Sequence, residues 1–299
     1  ASDAIAGPLV WTGSLYGTVW EDRRDTSYDI YFNRLDVYGQ KLAADLRVTD
    51  SSGFSIEPSL LYDGGEWLLA YADENDYHKF GIFVQRISRD AALVGDPVEI
   101  VSADYDAHQP RLSRNSAGFG VFFKSIADDQ FMYMRLDDQL NVTSAPIPVE
   151  LGEPGDVSLR WNGDRYILTW DTRTDTGVGD SIWAMSLDVY GNVIAPPRPI
   201  TAGARIARGP SIVTMGDRFV LLWADDRYTP GLFEITLQMF DNDFSPLGLQ
   251  EQVSDLHSDS IDPGAVLGGG SLGVLFRSRK YGEWEAFFLA IGCWYPPAQ

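Results

Sequence analysis

Cysteine is almost absent: a single one, Cys293, stands in 299 residues, so no disulfide can form within the chain. Bases are scarce as well. Against 43 Asp and Glu there are 23 Lys and Arg, a net charge of −20. A surface this acidic repels phosphate backbones and argues against nucleic acid as a partner; it suits cations, basic proteins or neutral sugars. No apolar run approaches the roughly 18 residues that a membrane-crossing helix needs. There is no Gly-x-Ser-x-Gly elbow, no His-Glu-x-x-His and no phosphate-binding loop. No segment carries the periodicity of an amphipathic helix. The chain opens ASDAIAG without Met, which fits either a mature chain after signal cleavage or a chain trimmed artificially, and export is the expectation.

What the chain has instead is a repeat. Aromatic residues end a short apolar strand at Trp20, Tyr71, Phe123, Trp170, Trp223 and Phe276, spaced 51, 52, 47, 53 and 53 residues apart. Each is preceded by an extended piece, usually opened by Pro, such as PLVWT, PSLLY and PSIVT. Turns such as DGGE, NGDR and MGDR join the two, with residues suited to hairpins. A polar loop, a third strand and a short fourth strand follow, and two of the third strands run into the same tetrapeptide, DVYG, at 36–39 and 188–191. Six four-stranded units at this period predict an all-β, six-bladed propeller in one domain over 1–299. The blades are expected at 8–50, 58–102, 110–150, 157–202, 210–254 and 263–294. The last unit runs out after its third strand, so residues 2–6 are expected to supply its fourth and close the assembly.

The phrase aromatic-x-Asp-x-Arg occurs at Trp20/Asp22/Arg24 and at Trp223/Asp225/Arg227. On a strand these positions share one face. The middle residue is Asp, Ser or Thr in all six repeats, and such side chains fix turns by accepting backbone hydrogen bonds. A role repeated in most blades is a construction role. The segments WADDRYTPGLFEITL and FRSRKYGEWEAFFL resemble the repeat of TolB-like, WD40-like bacterial propellers. That resemblance implies a six-bladed fold, export in a bacterium and protein binding. The Ser-Pro-Asp-Gly turn of those repeats is missing here, although Asp63-Gly64 comes near.

Function is expected on the loops after the second strands and on the links between blades. Three groups there could hold a cation. The loop DTRTDTGVGD offers Asp171, Asp175 and Asp180 as oxygen ligands for calcium, against the alternative of a solvated acidic loop. His78 and His108, with Asp73, Asp76, Asp104 and Asp106, would suit a transition metal. Glu57, Gln109, Asp156, Gly209 and Asp262 immediately precede the first strands, where Glu57 and Asp262 could hold a cation or water, and crowded carboxylates there would raise at least one pKa. No organic cofactor is expected. The resulting expectation is a non-enzymatic, exported binding module with a protein or carbohydrate partner on its acidic loop face and calcium as a candidate ligand. The alternative is a glycoside-directed hydrolase or lectin using carboxylates and aromatics of that face. The Ser-x-Asp-x-Gly-x-Thr-Trp turn of sialidases is absent.

Overall fold

The computed structural model describes residues 4–24, 27–172, 181–201, 206–254, 257–268 and 271–292. The architecture is an all-β, six-bladed propeller, and within each sheet every described strand pairs antiparallel with its neighbour in the chain. Two compact units divide the sequence, Ala1–Glu150 and Leu151–Gln299. In the first, sheet one comprises Ala4–Trp11, Tyr16–Asp22, Asp29–Leu35 and Leu46–Arg47. Sheet two comprises Ser55–Tyr62, Glu66–Glu74, Phe80–Ser88 and Leu93–Val101. Sheet three comprises Ala107–Asn115, Gly118–Ser125, Gln130–Leu136 and Ile147–Val149. In the second unit, sheet four comprises Pro154–Trp161, Tyr166–Thr172, Ile182–Leu187 and Val193–Pro199. Sheet five comprises Ala207–Thr214, Arg218–Thr229, Leu232–Asp241 and Pro246–Gln252. Sheet six has three described strands, Ser260–Gly268, Ser271–Ser278 and Glu285–Gly292. Among the described residues the helical content is one 3-10 turn, Ala103–Tyr105, and no helix is long and apolar enough to cross a membrane.

The expected closing strand needs correction. Ala4–Trp11 is one continuous strand that pairs within sheet one, with Ala4 opposite Asp22 and Ile5 opposite Glu21. Gly7 and Pro8 carry the same strand on to Leu9, which lies opposite Thr18, while residues 2 and 3 fall outside the described residues. The fourth strand of sheet six is therefore not formed by residues 4–6.

The repeat spacing reflects cross-strand packing. The second-strand aromatic lies opposite a third-strand aromatic in four sheets: Trp20 with Tyr31, Tyr71 with Phe83, Trp170 with Trp183 and Phe276 with Phe287. These rings stack at 6.0, 6.1, 6.4 and 5.7 Å between centroids, a geometry that stabilises a register as well as burying area. The apolar cores lie between successive sheets of each unit, as with Trp67 of sheet two, which packs against Phe32 of sheet one. Gly17 faces that indole: a Cβ there would meet the Trp67 ring at 2.3 Å.

Turns explain DVYG. Asp36 Oδ1 accepts hydrogen bonds from the N–H groups of Tyr38 and Gln40, and Asp188 Oδ1 from those of Tyr190 and Asn192, all at 2.8–2.9 Å. Asp137 and Asp241 hold their turns in the same way. The fourth residue of each turn is left-handed: Gly39 at φ 81°, Leu140 at 69°, Gly191 at 89° and Phe244 at 62°. Glycine takes that conformation without strain, which accounts for its place in both DVYG copies.

The aromatic-x-Asp-x-Arg phrase closes on itself. Asp225 Oδ2 accepts from Trp223 Nε1 and from Arg227 Nε, both at 2.6 Å, and Oδ1 accepts from the Arg227 N–H at 3.2 Å. Asp22 holds Arg24 similarly. Both acids are buried. Removing a fully buried partner leaves an uncompensated cation and an unmet indole N–H, so Asp225→Ala should cost about 3–5 kcal/mol. The exposed Asp76→Ala should stay within about 0.5 kcal/mol. Urea midpoints at unchanged m-value measure both.

Candidate functional site

Every first strand carries one extra residue at the same place. Ile56 and Ser59 lie opposite Ala72 and Ala70, three steps against two. The same count separates Ala6 from Leu9, His108 from Arg111, Pro154 from Val157, Arg208 from Ser211 and Ile261 from Gly264. These are β-bulges, which turn a strand end and re-aim its side chains. The residues singled out ahead of the first strands sit in them. Glu57, Gln109, Gly209 and Asp262 take left-handed conformations, with φ of 56°, 51°, 60° and 53°.

A bulge leaves ladder groups unpaired, and carboxylates take them up. In the first unit Glu21 Oε1 accepts the Glu57 N–H at 2.7 Å, and Glu57 Oε2 accepts the Gln109 N–H at 2.7 Å. His108 Nδ1 lies 3.2 Å from the same Glu57 oxygen, and its Nε2 lies 3.7 Å from Asp106 Oδ1. The Phe80 ring packs on the imidazole at 4.6 Å. Burial pushes the Glu21 carboxyl above its ordinary pKa; the Glu57 N–H opposes this and the Glu57 charge adds to it. Burial would raise Glu57 too, but the hydrogen bonds from His108 and Gln109, with the charges of His108 and Arg111, hold it below the ordinary glutamate range. His108 is raised by its hydrogen bond to Glu57, against the effect of burial. Two neighbouring carboxyls are thus pushed in opposite directions, one toward keeping its proton and one toward losing it.

In the second unit the buried Asp171 Oδ1 accepts the Asp156 N–H at 2.5 Å, and Oδ2 accepts the Gly209 N–H at 3.4 Å. Nearby lies a cavity of about 330 Å³ whose walls include Asp156, Arg208, Phe233, Asp259, Asp262 and Trp284. Asp262 is ion-paired to Arg277, whose Nε lies 2.8 Å from Asp262 Oδ2. Asp259 Oδ1 accepts the Phe233 N–H at 3.2 Å. The guanidiniums of Arg279 and Arg277 lie over the Trp284 ring, at 4.6 and 5.5 Å.

The residues named from sequence are placed as follows. Glu57 and His108 come together, and Asp262 lines the cavity. Asp171 caps backbone groups, while Asp175 and Asp180 fall outside the described residues. Asp73 accepts from Ser55 Oγ at 2.6 Å and Ser51 Oγ at 3.0 Å. His78 is exposed and pairs with Glu74 at 2.7 Å; it fills the left-handed place of a turn held by Asn75, with φ 57°. Asp76 is exposed, and the Asp104 N–H donates to Ser102 Oγ in the 3-10 turn. Among the described residues no group of three or more His, Cys, Asp or Glu stands where it could hold a metal ion. Glu21 was not singled out from sequence. Its signal is its place one step after the aromatic Trp20, which alternation puts on the opposite face from Trp20/Asp22/Arg24. Asp171 follows Trp170 in the same way.

No family model matches the chain, and no curated protein matches it. Solved structures do. A Trypanosoma rangeli sialidase mutant displaying trans-sialidase activity is similar at a TM-score of 0.60 and 10% identity, over 96% of this chain and 54% of its own. The Bacteroides ovatus protein GH43B of a xyloglucan locus is similar at 0.50 and 16%, over 79% of this chain and 52% of its own, so this chain matches about half of that protein. A GH43_1 enzyme from Xanthomonas citri, complexed with xylose, gives 0.50 and 12%, over 79% and 86%. At such identities the likeness shows the six-bladed fold. It corrects the expectation of a non-enzymatic binding module, because these likenesses are to GH43 proteins and a sialidase rather than to TolB-like propellers.

The Glu57–His108 pair makes stability depend on pH. The depressed Glu57 contributes above the ordinary glutamate pKa and loses its contribution as pH falls through its lowered value. The raised His108 contributes fully below the ordinary histidine pKa and loses its contribution as pH rises through its elevated value. Followed by melting temperature from about pH 3 to about pH 9, the pair's contribution should fall off at both ends, on top of the loss that ionising the raised Glu21 brings as pH rises. His108→Gln should flatten the alkaline limb.

Proposed function

We propose that the chain is a glycoside-directed hydrolase with Glu21 and Glu57 as its carboxyl pair. Hydrolysis of a glycosidic bond needs one carboxyl that keeps a proton for the leaving oxygen and one that stays ionised on the other side of the sugar. Titratable neighbours pushed apart in pKa are the mark of such a division. The observation carrying the reading is that divergence: Glu21 raised by burial, Glu57 lowered by His108 and the Gln109 N–H. The fold's likeness to a sialidase and to GH43 proteins supports it.

In this reading Glu21 donates the proton. Glu57 either activates water or attacks the sugar carbon, a choice set by the gap between the carboxyls once substrate is bound. His108 keeps Glu57 ionised by holding a positive charge beside it. The bulge of sheet two presents Glu57, and Glu21 stands one residue from the end of its own strand. If the substrate is a polymeric glycan too large to enter the cell, the reading carries export with it.

The test is a panel of aryl glycosides and plant and host polysaccharides. One class should be turned over. Glu21→Gln and Glu57→Gln should each lower kcat by about 10²–10⁴-fold, with unchanged circular dichroism. Glu21→Gln should be at least as stable as the parent at neutral pH, because ionising the buried Glu21 opposes folding. Turnover indifferent to both substitutions, or no turnover of any glycoside, would sink the assignment.

A further inference from the structure

The second unit has a concavity that the carboxyl pair of the first unit does not use. We propose that the cavity of residues 151–299 binds one neutral sugar ring, a terminal or branch unit of the glycan. This deepens the hydrolase reading and takes its substrate class from it, but it concerns binding and stands on separate residues.

Three features point to a sugar. First, size: about 330 Å³ is at the small end of ligand pockets, which begin near about 300 Å³, and suits a single ring better than a run of rings. Second, the walls mix two kinds of surface. Phe233 and Trp284 contribute aromatic carbon to the wall, which can meet the C–H face of a sugar wherever Arg208, at 5.8 Å over Phe233, and the guanidiniums over Trp284 leave the rings uncovered, while carboxylates accept from its hydroxyls. The two guanidiniums over Trp284 brace that indole, so its position is set before any ligand arrives. Third, Asp259 is an oriented acceptor. One oxygen is fixed by the Phe233 N–H, its main-chain oxygen accepts the Arg279 N–H at 3.0 Å, and it is half-buried. It makes no ion pair among the described residues, so its carboxylate is available to a pair of adjacent hydroxyls.

The charge balance selects the class. Among the described residues the wall carries Asp156, Asp259, Asp262 and Arg208, and the guanidiniums of Arg277 and Arg279 lie over Trp284. Arg277 neutralises Asp262 directly. A carboxylate-bearing sugar would face Asp259, and an ammonium-bearing one would face the arginines. A ring carrying only hydroxyls meets donors and acceptors of both kinds and brings no charge of its own.

The experiment is calorimetry and saturation-transfer NMR on the full chain with the methyl glycosides of glucose, galactose, xylose and arabinose, and with glucuronate and glucosamine. At least one neutral glycoside should bind. Asp259→Asn keeps the acceptor for Phe233 yet removes the charge, and Trp284→Ala removes the aromatic wall; each should weaken binding about tenfold or more. The charged sugars should bind at least about tenfold more weakly than the best neutral one, and its trisaccharide should gain less than about threefold. Binding without turnover keeps this inference and sinks the hydrolase reading; Glu57→Gln that binds normally but no longer turns over substrate supports both. The inference falls if no neutral glycoside binds, if a charged sugar binds as well, if neither substitution changes affinity, or if the trisaccharide gains tenfold.

Discussion

One constraint shapes this molecule: a strand that takes in an extra residue must find an acceptor for the amide it displaces. All six first strands carry that extra residue at the same register. Buried amides left without partners are costly, and in sheets two to five the acceptor is an acidic side chain: Glu21 for Glu57, Glu57 for Gln109, and Asp171 for both Asp156 and Gly209. The acids therefore stand where the backbone needs them, and their chemistry follows from that placement.

The same arrangement explains why neighbouring carboxyls differ. Glu21 is 8% exposed and has one backbone donor, too little to offset its loss of water. Glu57 has a backbone donor and an imidazole, enough to reverse the effect of burial. In sheet six the residue after the aromatic is Arg277, which holds the bulge residue Asp262 by an ion pair. Construction and chemistry meet at these two positions, the bulge residue and the residue after the aromatic. Elsewhere, as in the Asp225–Trp223–Arg227 cluster, the charges serve the frame alone.

The blades were legible in the sequence because stacking fixes a register, and a fixed register shows as a period. Trp20, Tyr71, Trp170 and Phe276 each need an aromatic opposite, so their spacing survives even though the loops between them vary. DVYG was legible as a repeat but not as a turn; its cause is a left-handed fourth residue shared with Leu140 and Phe244, which look nothing like Gly. The closing strand was misread because DAIAG matches a fourth strand in composition, whereas residues 4–6 run on through Gly7 and Pro8 as part of a first strand. Glu21 was overlooked because it lies on the face opposite the conspicuous triplet. The sugar cavity had no local signature: Asp156, Arg208, Phe233, Asp259 and Trp284 come from separate segments that only the fold gathers.

The strictly sequential strand order also bears on how such a chain reaches its folded state. No described strand waits for a partner from a distant part of the polypeptide; within each sheet every described hairpin is closed by a connecting loop, so the entropy lost in closing it is small. Low sequence separation between partners speeds folding. A blade can then pair its own strands once its fifty or so residues are available, and it buries its faces when the next sheet packs on it, in the manner of other repeat arrays. The nascent chain would carry finished sheets while later ones are still being made, which limits how long any unpaired edge is open to the wrong neighbour.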